Sequence, residues 1–438
     1  MRQKEIIGRT WSVCPVCRKR IPAERVLRGS EIRLEKTCEE HGFFSSVIWR
    51  GYMDYGTWRG KPEELPEEGY RRCAGCTGLC RDHLRSTCCV LLEVTRRCNM
   101  ECSFCFAGAR APGEDGDDYS TGQVKAWIFD LTVPGKTFLQ LSGGEPTVRE
   151  DLPELIAFAR RCGCRYIQLN TNGLRLGEDP EYALQLKDAG LSFVFLQFDG
   201  PDDGIYRALR GRNLLQAKRQ AIENCAAAGI GVTLVPVIVP GVNDHRIGDI
   251  IRFGVRNSPA VRGVHFQPVS YFGRIPREPA DTGRFTLDEL ADAICKQSEG
   301  LIRPGQLVPS RCDHPMFGLH GDFIVMPDRT LYPLSGRTGS EENRKEGRRA
   351  DPADRNREFI GRRWERTASS GALSPEEGSA DMTDMEVFLA RAKTYGFTIT
   401  SMQFQDIWNL DLERLRSCSL HVYRRGKLIP FCANYIFY

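Results

Sequence analysis

Short runs of apolar, β-branched and aromatic residues recur through the middle of the chain, at 90–94, 137–141, 166–170, 193–198, 232–239 and 263–268. Between them lie stretches of helical period. Leu152, Leu155, Ile156 and Ala159 occupy the i, i+3, i+4 and i+7 positions of one face. Further helices are expected over 181–189, 214–228, 247–255 and 287–297. Six strand-then-helix units predict parallel strands joined by right-handed crossovers. Six are too few for a closed eight-unit barrel. The expected fold class is therefore α/β, a partial (β/α)6 TIM-type barrel over residues 90–300, with a doubly wound sheet as the alternative.

The flanking chain reads differently. Residues 1–70 are rich in Cys, Pro and Gly and weak in helical period, which predicts a metal-stapled, loop-like module; residues 71–89 form a second Cys-rich loop. Residues 301–334 and 381–438 are expected to build a small C-terminal α+β region. Its helices are placed at 383–395 and 406–415, and a hairpin is centred on Arg425-Gly426. Residues 335–380 are polar and mix both charge signs, as a linker or an insertion would.

Composition narrows the function classes. Of 438 residues, 61 are Lys or Arg and 57 are Asp or Glu, a net charge of +4 that gives no reason to expect a nucleic-acid partner. No apolar run approaches the roughly 20 residues of a membrane-spanning helix, and no apolar leader follows the first residues, so a cytoplasmic protein is expected. The 18 cysteines then point to metal binding rather than disulfides.

The sharpest motif is Cys98-x3-Cys102-x2-Cys105, directly after the first barrel-type strand. Three thiolates in one loop can hold three corners of an iron–sulfur cube and leave the fourth iron open to a ligand. A structural zinc site or a four-Cys ferredoxin site are the alternatives. Loops that follow parallel strands form the active face of a barrel, so the placement suits chemistry. Ser142-Gly143-Gly144-Glu145-Pro146 follows the second strand, Asn170-Thr171-Asn172-Gly173 the third and Gln197-Phe198-Asp199-Gly200 the fourth. The paired glycines permit positive φ and a close backbone approach to a ligand. The polar strand ends point to a barrel mouth, or form Asx-turns and loop hydrogen bonds.

These motifs resemble the radical S-adenosylmethionine superfamily, in which an aromatic residue precedes the third Cys, here Phe104. The resemblance implies a [4Fe-4S] cluster on Cys98, Cys102 and Cys105, whose open iron chelates S-adenosylmethionine. One electron then cleaves the cosubstrate to a 5′-deoxyadenosyl radical that abstracts hydrogen from a substrate. It further implies that Ser142, Gly143, Gly144 and Glu145 hold the cosubstrate's ammonium group, with Asn172, Gln197 and Asp199 meeting its ribose or carboxylate, or the substrate. Segments such as Leu196-Gln-Phe-Asp-Gly200, His265-Phe-Gln-Pro-Val-Ser270 and Asp406-Ile-Trp-Asn-Leu-Asp-Leu-Glu-Arg414 look like the subgroup of methanogen pterin methylases and archaeal tetraether lipid synthase. That subgroup implies auxiliary metal centres and either methylation or C–C coupling at unactivated carbon, on a small-molecule or lipid substrate. The electron donor would be of ferredoxin or flavodoxin type.

Extra cysteines supply candidate ligands. Cys14, Cys17, Cys38 and His41 suit zinc or a rubredoxin-like iron. Cys73, Cys76, Cys80 and Cys88 suit an auxiliary [4Fe-4S] cluster or a second zinc, with Cys89 competing for the fourth place. Cys312, Cys418 and Cys432 form a third cluster or stand as buried thiols, while Cys162, Cys164, Cys225 and Cys295 fall in core patterns. Two features depart from the subgroup: Phe317 and Ser419 stand where relatives often carry Cys, and the gaps of Cys73-x2-Cys76-x3-Cys80 run in the opposite order. A maturase of a peptide or cofactor precursor, and a non-catalytic metal or redox scaffold, are the competing functions.

Overall fold

In a computed structural model the described residues are 4–60, 83–110, 118–310, 312–334, 352–365 and 384–438. The N-terminal strands β1 (Glu5–Val13), β2 (Arg20–Arg28), β3 (Glu31–Cys38) and β4 (Gly42–Trp49) form a four-stranded antiparallel sheet. The expected loop-like module is thus a sheet. Its strands alternate buried apolar with charged positions, as in Ile32 and Leu34 beside Arg33.

The second sheet begins with β5 (Cys89–Thr95), β6 (Phe138–Gly143), β7 (Tyr166–Thr171), β8 (Phe193–Gln197) and β9 (Gly231–Val235). It continues through β10 (Val237–Ile238), β11 (Val261–Pro268), β12 (Val308–Pro309), β13 (Leu319–Val325) and β14 (Leu331–Pro333). Last come β15 (Gly396–Ser401), β16 (Leu420–Arg424) and β17 (Lys427–Pro430). All six expected barrel strands are present. Parallel pairing runs in the order β16, β5, β6, β7, β8, β9, β11, β15, so the C-terminal region adds a parallel strand at each end of the expected set. Among the described residues β15 and β16 do not pair with each other; β13 and β17 cover them antiparallel instead. No strand pairing among the described residues closes the barrel between β15 and β16.

Helices Leu152–Cys162, Pro180–Asp188, Leu215–Ala227, Ile247–Arg256 and Leu287–Gln297 pack their apolar faces on the outside of the sheet, as their periodicity predicts. Two expectations need correction. Residues 406–415 are not one helix: Asp406 accepts the N–H groups of Trp408 and Asn409 in a turn, and helix begins only at Leu412–Arg416. Within the expected linker, residues Pro352–Trp364 are a helix. It packs at the start of the strands, where buried Trp364 meets Phe193 and Phe195 at ring-centroid distances of 5.6 and 4.7 Å. The buried Arg357 donates to the carbonyls of Cys88 (2.9 Å) and Thr87 (2.5 Å). This helix floors the barrel.

Gly361 faces the ring of Tyr166, where a Cβ would lie 2.2–2.6 Å from three ring carbons. Gly361→Ala gains about 1 kcal/mol of helix propensity. Overpacking a buried ring costs about 1–3 kcal/mol. The expected net effect is a loss of about 1 kcal/mol, visible as a lower urea midpoint. An unchanged or higher midpoint would show that the floor helix does not seat tightly.

The antiparallel sheet docks on the barrel through charge. Arg25 reaches both Asp411 (2.6 Å) and Glu413 (2.5 Å), and Arg33 pairs with Asp281 (2.5 Å). Asp406 is fully buried against Arg284 at 2.9 and 3.0 Å. The conspicuous 406–414 motif is therefore largely a scaffold for this docking.

Candidate active site

The loop bearing Cys98, Cys102 and Cys105 leaves β5 at the C-terminal end of the parallel strands. It is held from several sides. Gly144 N–H donates to Thr95 C=O and Glu145 N–H to Arg97 C=O, both at 2.9 Å. A Cβ on Gly143 would stand 2.3 Å from Thr95 O, and one on Gly144 2.0 Å from Arg97 O. The paired glycines thus admit the root of the Cys loop itself, not only a ligand. Asn172 Nδ2 donates to Asn99 Oδ1 (2.7 Å), Ser103 Oγ to Leu209 C=O (3.1 Å), and Cys105 pairs backbone to backbone with Arg274 at 3.0 and 2.9 Å. Arg210 donates to Phe104 C=O (3.3 Å) while paired twice with the fully buried Asp199 at 2.7 and 2.9 Å.

All three thiols open onto one cavity of about 300 Å³ in the barrel mouth, together with Phe104, Ser142, Gly143, Gly144, Glu145, Asn172 and Gln197. Burial, then the Glu145 carboxylate, push the Cys98 thiol up to about 12. A free thiol therefore resists ionisation here, whereas a bound cation supplies the charge that favours a thiolate. The donor set fits an iron–sulfur group: three soft ligands in one clasped loop, opening onto a cavity.

Glu145 is a hub. Its Oε1 accepts from Thr147 N–H (3.1 Å), Thr147 Oγ1 (2.7 Å) and Thr171 Oγ1 (2.6 Å), and its Oε2 from Asn172 N–H (2.6 Å). Oε2, with one bond, keeps capacity for an ammonium donor. The other strand-end residues serve the scaffold. Asn172 Oδ1 accepts from Leu174 N–H (3.0 Å), the Asx-turn alternative. Gln197 Oε1 accepts from Lys218 Nζ (2.8 Å), and its Nε2 donates to Asp199. Asp199 does not line the cavity; it serves Arg210. Sequence reasoning missed Asn99, Arg210, Lys218 and Arg274, since each acts through a partner distant in the chain.

Deeper in the barrel, His265 lines the cavity with Nδ1 2.8 Å from Thr400 Oγ1, the residue beside it in the β11–β15 register. Burial pulls its pKa down to about 4. The unfolded value lies near 6.5, so acid protonates the unfolded chain first. The stability held above pH 6.5 is lost as pH falls toward 4, by about 2 kcal/mol between pH 6.5 and 5. His265→Phe should flatten that part of a stability-versus-pH curve. Parallel curves for the two proteins would contradict the buried neutral imidazole.

In the N-terminal sheet, Cys14, Cys17, Cys38 and His41 bring their ligand atoms within 4.8 Å of one another, the only such group among the described residues. His41 Nδ1 lies 3.7 Å from Cys14 Sγ and 3.5 Å from Cys38 Sγ, and Cys17 Sγ 3.9 Å from Cys38 Sγ. Zinc–sulfur bonds of about 2.3 Å in a tetrahedron put sulfurs about 3.8 Å apart, so the set is sized for one tetrahedral metal.

The remaining cysteines divide. Cys73, Cys76 and Cys80 lie outside the described residues. Cys88, Cys89 and Cys312 all line the cavity. The neighbouring Cys88 thiol, together with burial, holds the Cys312 thiol well above its usual value. Ser419 Oγ sits 3.7 Å from Cys312 Sγ. Cys418 donates to Leu420 C=O (3.1 Å), and Cys432 accepts from Gln405 N–H (3.3 Å), so both are engaged with backbone groups.

Residues 92–254, which carry the three-Cys loop and the Gly-Gly-Glu turn at neighbouring strand ends, match the model of the Radical SAM superfamily. Residues 6–50 match the HMPTM N-terminal zinc ribbon domain. The chain is 40% identical over 309 residues to 7,8-dihydro-6-hydroxymethylpterin dimethyltransferase of Methanocaldococcus jannaschii, an alignment covering 69% of this chain and 61% of that protein. It is 36% identical over 188 residues to Fe-coproporphyrin III synthase of Methanosarcina barkeri, covering 42% and 45% of the two chains. Among solved structures, methylornithine synthase aligns with a TM-score of 0.38 at 17% identity, over 63% of this chain and 83% of the other. The radical domain implies a [4Fe-4S] cluster and S-adenosylmethionine. No helix among the described residues is long and apolar enough to cross a membrane.

Proposed function

We propose that this protein is a radical S-adenosylmethionine enzyme that methylates, or forms a C–C bond on, a small pterin-like heterocycle. The observation that carries the reading is the clasped three-Cys loop opening, beside Glu145, onto a cavity that descends into the barrel. The similarity to the pterin dimethyltransferase supports the substrate class. A bound cluster supplies the electron that splits S-adenosylmethionine into methionine and a 5′-deoxyadenosyl radical. The chain's own part is positional. Cys98, Cys102 and Cys105 hold the cluster, and the Gly143–Gly144 edge and Arg210 fix their loop. Glu145 Oε2 orients the cosubstrate's ammonium group. The barrel wall excludes water from the reacting carbon.

The N-terminal set Cys14, Cys17, Cys38 and His41 takes a structural zinc or iron in this reading. Cys88, Cys89 and Cys312, gathered on one cavity wall, support an auxiliary metal centre there. A low-potential donor of ferredoxin or flavodoxin type, and a reducing cytoplasm, suit thiolate-held clusters. Coupling of lipid tails is the second reading, favoured by aromatic residues at the mouth, where Phe404 stacks on Phe431 at 4.1 Å.

The deciding assay uses anaerobically reconstituted protein with dithionite, 7,8-dihydro-6-hydroxymethylpterin, S-adenosylmethionine as radical source, and a methyl source supplied as excess S-adenosylmethionine and as a reduced one-carbon folate-type carrier. Mass spectrometry should show a pterin product heavier by one or more methyl groups and stoichiometric 5′-deoxyadenosine. 5′-Deoxyadenosine without a pterin product would move the reading to the lipid or maturase alternatives. No 5′-deoxyadenosine at all would leave the scaffold alternative.

A further inference from the structure

The depth of the cavity differs from its mouth. Glu145 and Arg210 stand at the mouth, and Asp313, the other charged residue of the lining, lies low on the wall, where it accepts Ser419 N–H (2.6 Å) beside the start of β5. Glu145 and Arg210 are held by the hydrogen bonds and the ion pair described above. Inward positions of β6, β7, β8 and β11 instead bring Gln140, Asn170, Phe195, His265 and Gln267 onto the wall, above Trp364 on the floor. This is an unusual lining for a barrel interior, where apolar side chains normally fill the space.

Several of these polar groups are incompletely used. Gln140 Nε2 donates to Cys89 Sγ (3.2 Å), Asn170 Oδ1 accepts from Gln168 and His265 Nδ1 meets Thr400. Among the described residues, no side-chain hydrogen bond engages Gln140 Oε1, Asn170 Nδ2, His265 Nε2 or either end of the Gln267 amide. The amides of Gln140, Asn170 and Gln267 are half-buried and open onto the cavity, so an occupant that hydrogen-bonds them is favoured over one that displaces their water and leaves them unpaired. An amide presents a donor and an acceptor side by side and matches the N–H/C=O or N–H/N edge of a heterocycle. The Phe195 ring, 5.4 Å from the His265 ring centre, offers an aromatic surface at the same depth.

We infer that Gln140, Asn170, His265 and Gln267, beside Phe195, form a ring that reads the hydrogen-bonding edge of a neutral, flat, nitrogen-rich heterocycle. The inference deepens the proposed function and rests on it. A phosphate or carboxylate substrate finds no cation at this depth among the described lining residues. A hydrocarbon chain would leave the amides unpaired.

The test is equilibrium binding to the reconstituted full-length protein, in the presence of S-adenosylmethionine without reductant, so that no turnover occurs. The probes are 7,8-dihydro-6-hydroxymethylpterin and its analogue lacking the 2-amino group. The wild type should bind the analogue at least about 10-fold more weakly, the effect of one hydrogen bond lost in a buried site. Gln267→Leu and His265→Phe should each weaken pterin binding about 10- to 100-fold. Gln267→Glu, similar in shape, keeps the test open if either variant fails to fold. It places a carboxylate in the neutral ring and should also weaken binding at least 10-fold, with far-ultraviolet circular dichroism unchanged. Wild-type affinity in all folded variants, with the analogue bound as well as the parent, would overturn the ring and leave the pterin reading standing. No pterin binding by wild-type protein that still yields 5′-deoxyadenosine under reduction would overturn the pterin reading, and the ring with it.

Discussion

Replacing Cys98, Cys102 and Cys105 together by Ala should reduce 5′-deoxyadenosine formation to the level of a protein-free control while the protein still folds. The expectation follows from how the loop is held. Its fixing bonds run through backbone groups of Thr95, Arg97, Ser103 and Cys105 and through the Asn99 side chain. None requires a thiol. The three sulfurs are half-buried on the cavity wall, so their loss removes ligands without opening a packed core. The zinc-ribbon set and the proposed auxiliary centre are unaffected by the same change, so their metal should remain after the iron of the radical site has gone. Retained 5′-deoxyadenosine formation would show that the thiols are not the ligands. A variant that unfolds would show that they, or their metal, hold the barrel together.

The largest expected stability effect lies one residue shell away. Asp199→Ala leaves the Arg210 guanidinium buried without its carboxylate, and breaking such a pair costs about 3–5 kcal/mol. Burial lowers the Arg210 pKa and Asp199 more than restores it, so the guanidinium stays charged and in need of its partner. Arg210 also tethers Phe104 C=O, and Asp199 accepts Val237 N–H (3.1 Å), so the variant should loosen the Cys loop as well. Lower iron retention on gel filtration is expected together with a lower urea midpoint. In the double variant Asp199→Ala/Arg210→Ala the cost should be less than the sum of the two single costs, because the orphaned charge is gone. Additive costs would mean that the pair is not a unit.

Much of this was legible before any coordinates. The barrel strands and their outer helices announced themselves because parallel strands covered on both faces are continuous apolar runs, and their partner helices carry one apolar stripe. The three-Cys loop and the zinc-ribbon set were legible because each places several ligands close together in sequence. Less legible were elements completed by distant chain. The run 396–401 is too short to carry a signal of its own, yet it extends the barrel beside β11, more than 120 residues after it in sequence. The floor helix was hidden by its own chemistry. Its buried residues include Arg357 and Gly361, which lower its apparent hydrophobicity, although they share a face with Ala353 and Trp364. The antiparallel sheet did carry a signal, the alternation in Glu31–Cys38, which the frequent Cys, Pro and Gly obscured.

The candidate site divides in the same way. Glycines 143 and 144 line the cavity, and they also make room for Thr95 and Arg97, which no sequence pattern announces. Asp199 stood out as a polar strand end, but its partner Arg210 sits on the next helix and has no motif of its own. Residues that bind through partners cannot be read from one position at a time.

The central claim is that the Cys98–Cys102–Cys105 loop holds a cluster with one coordination position free for S-adenosylmethionine. Electron paramagnetic resonance of the reduced, reconstituted protein, recorded before and after adding S-adenosylmethionine, tests it directly. The account predicts that the cosubstrate shifts the g values of one [4Fe-4S]⁺ signal, and that this signal is missing from the triple-Ala variant. A spectrum indifferent to the cosubstrate, or the same shifted signal in the triple-Ala variant, would contradict it.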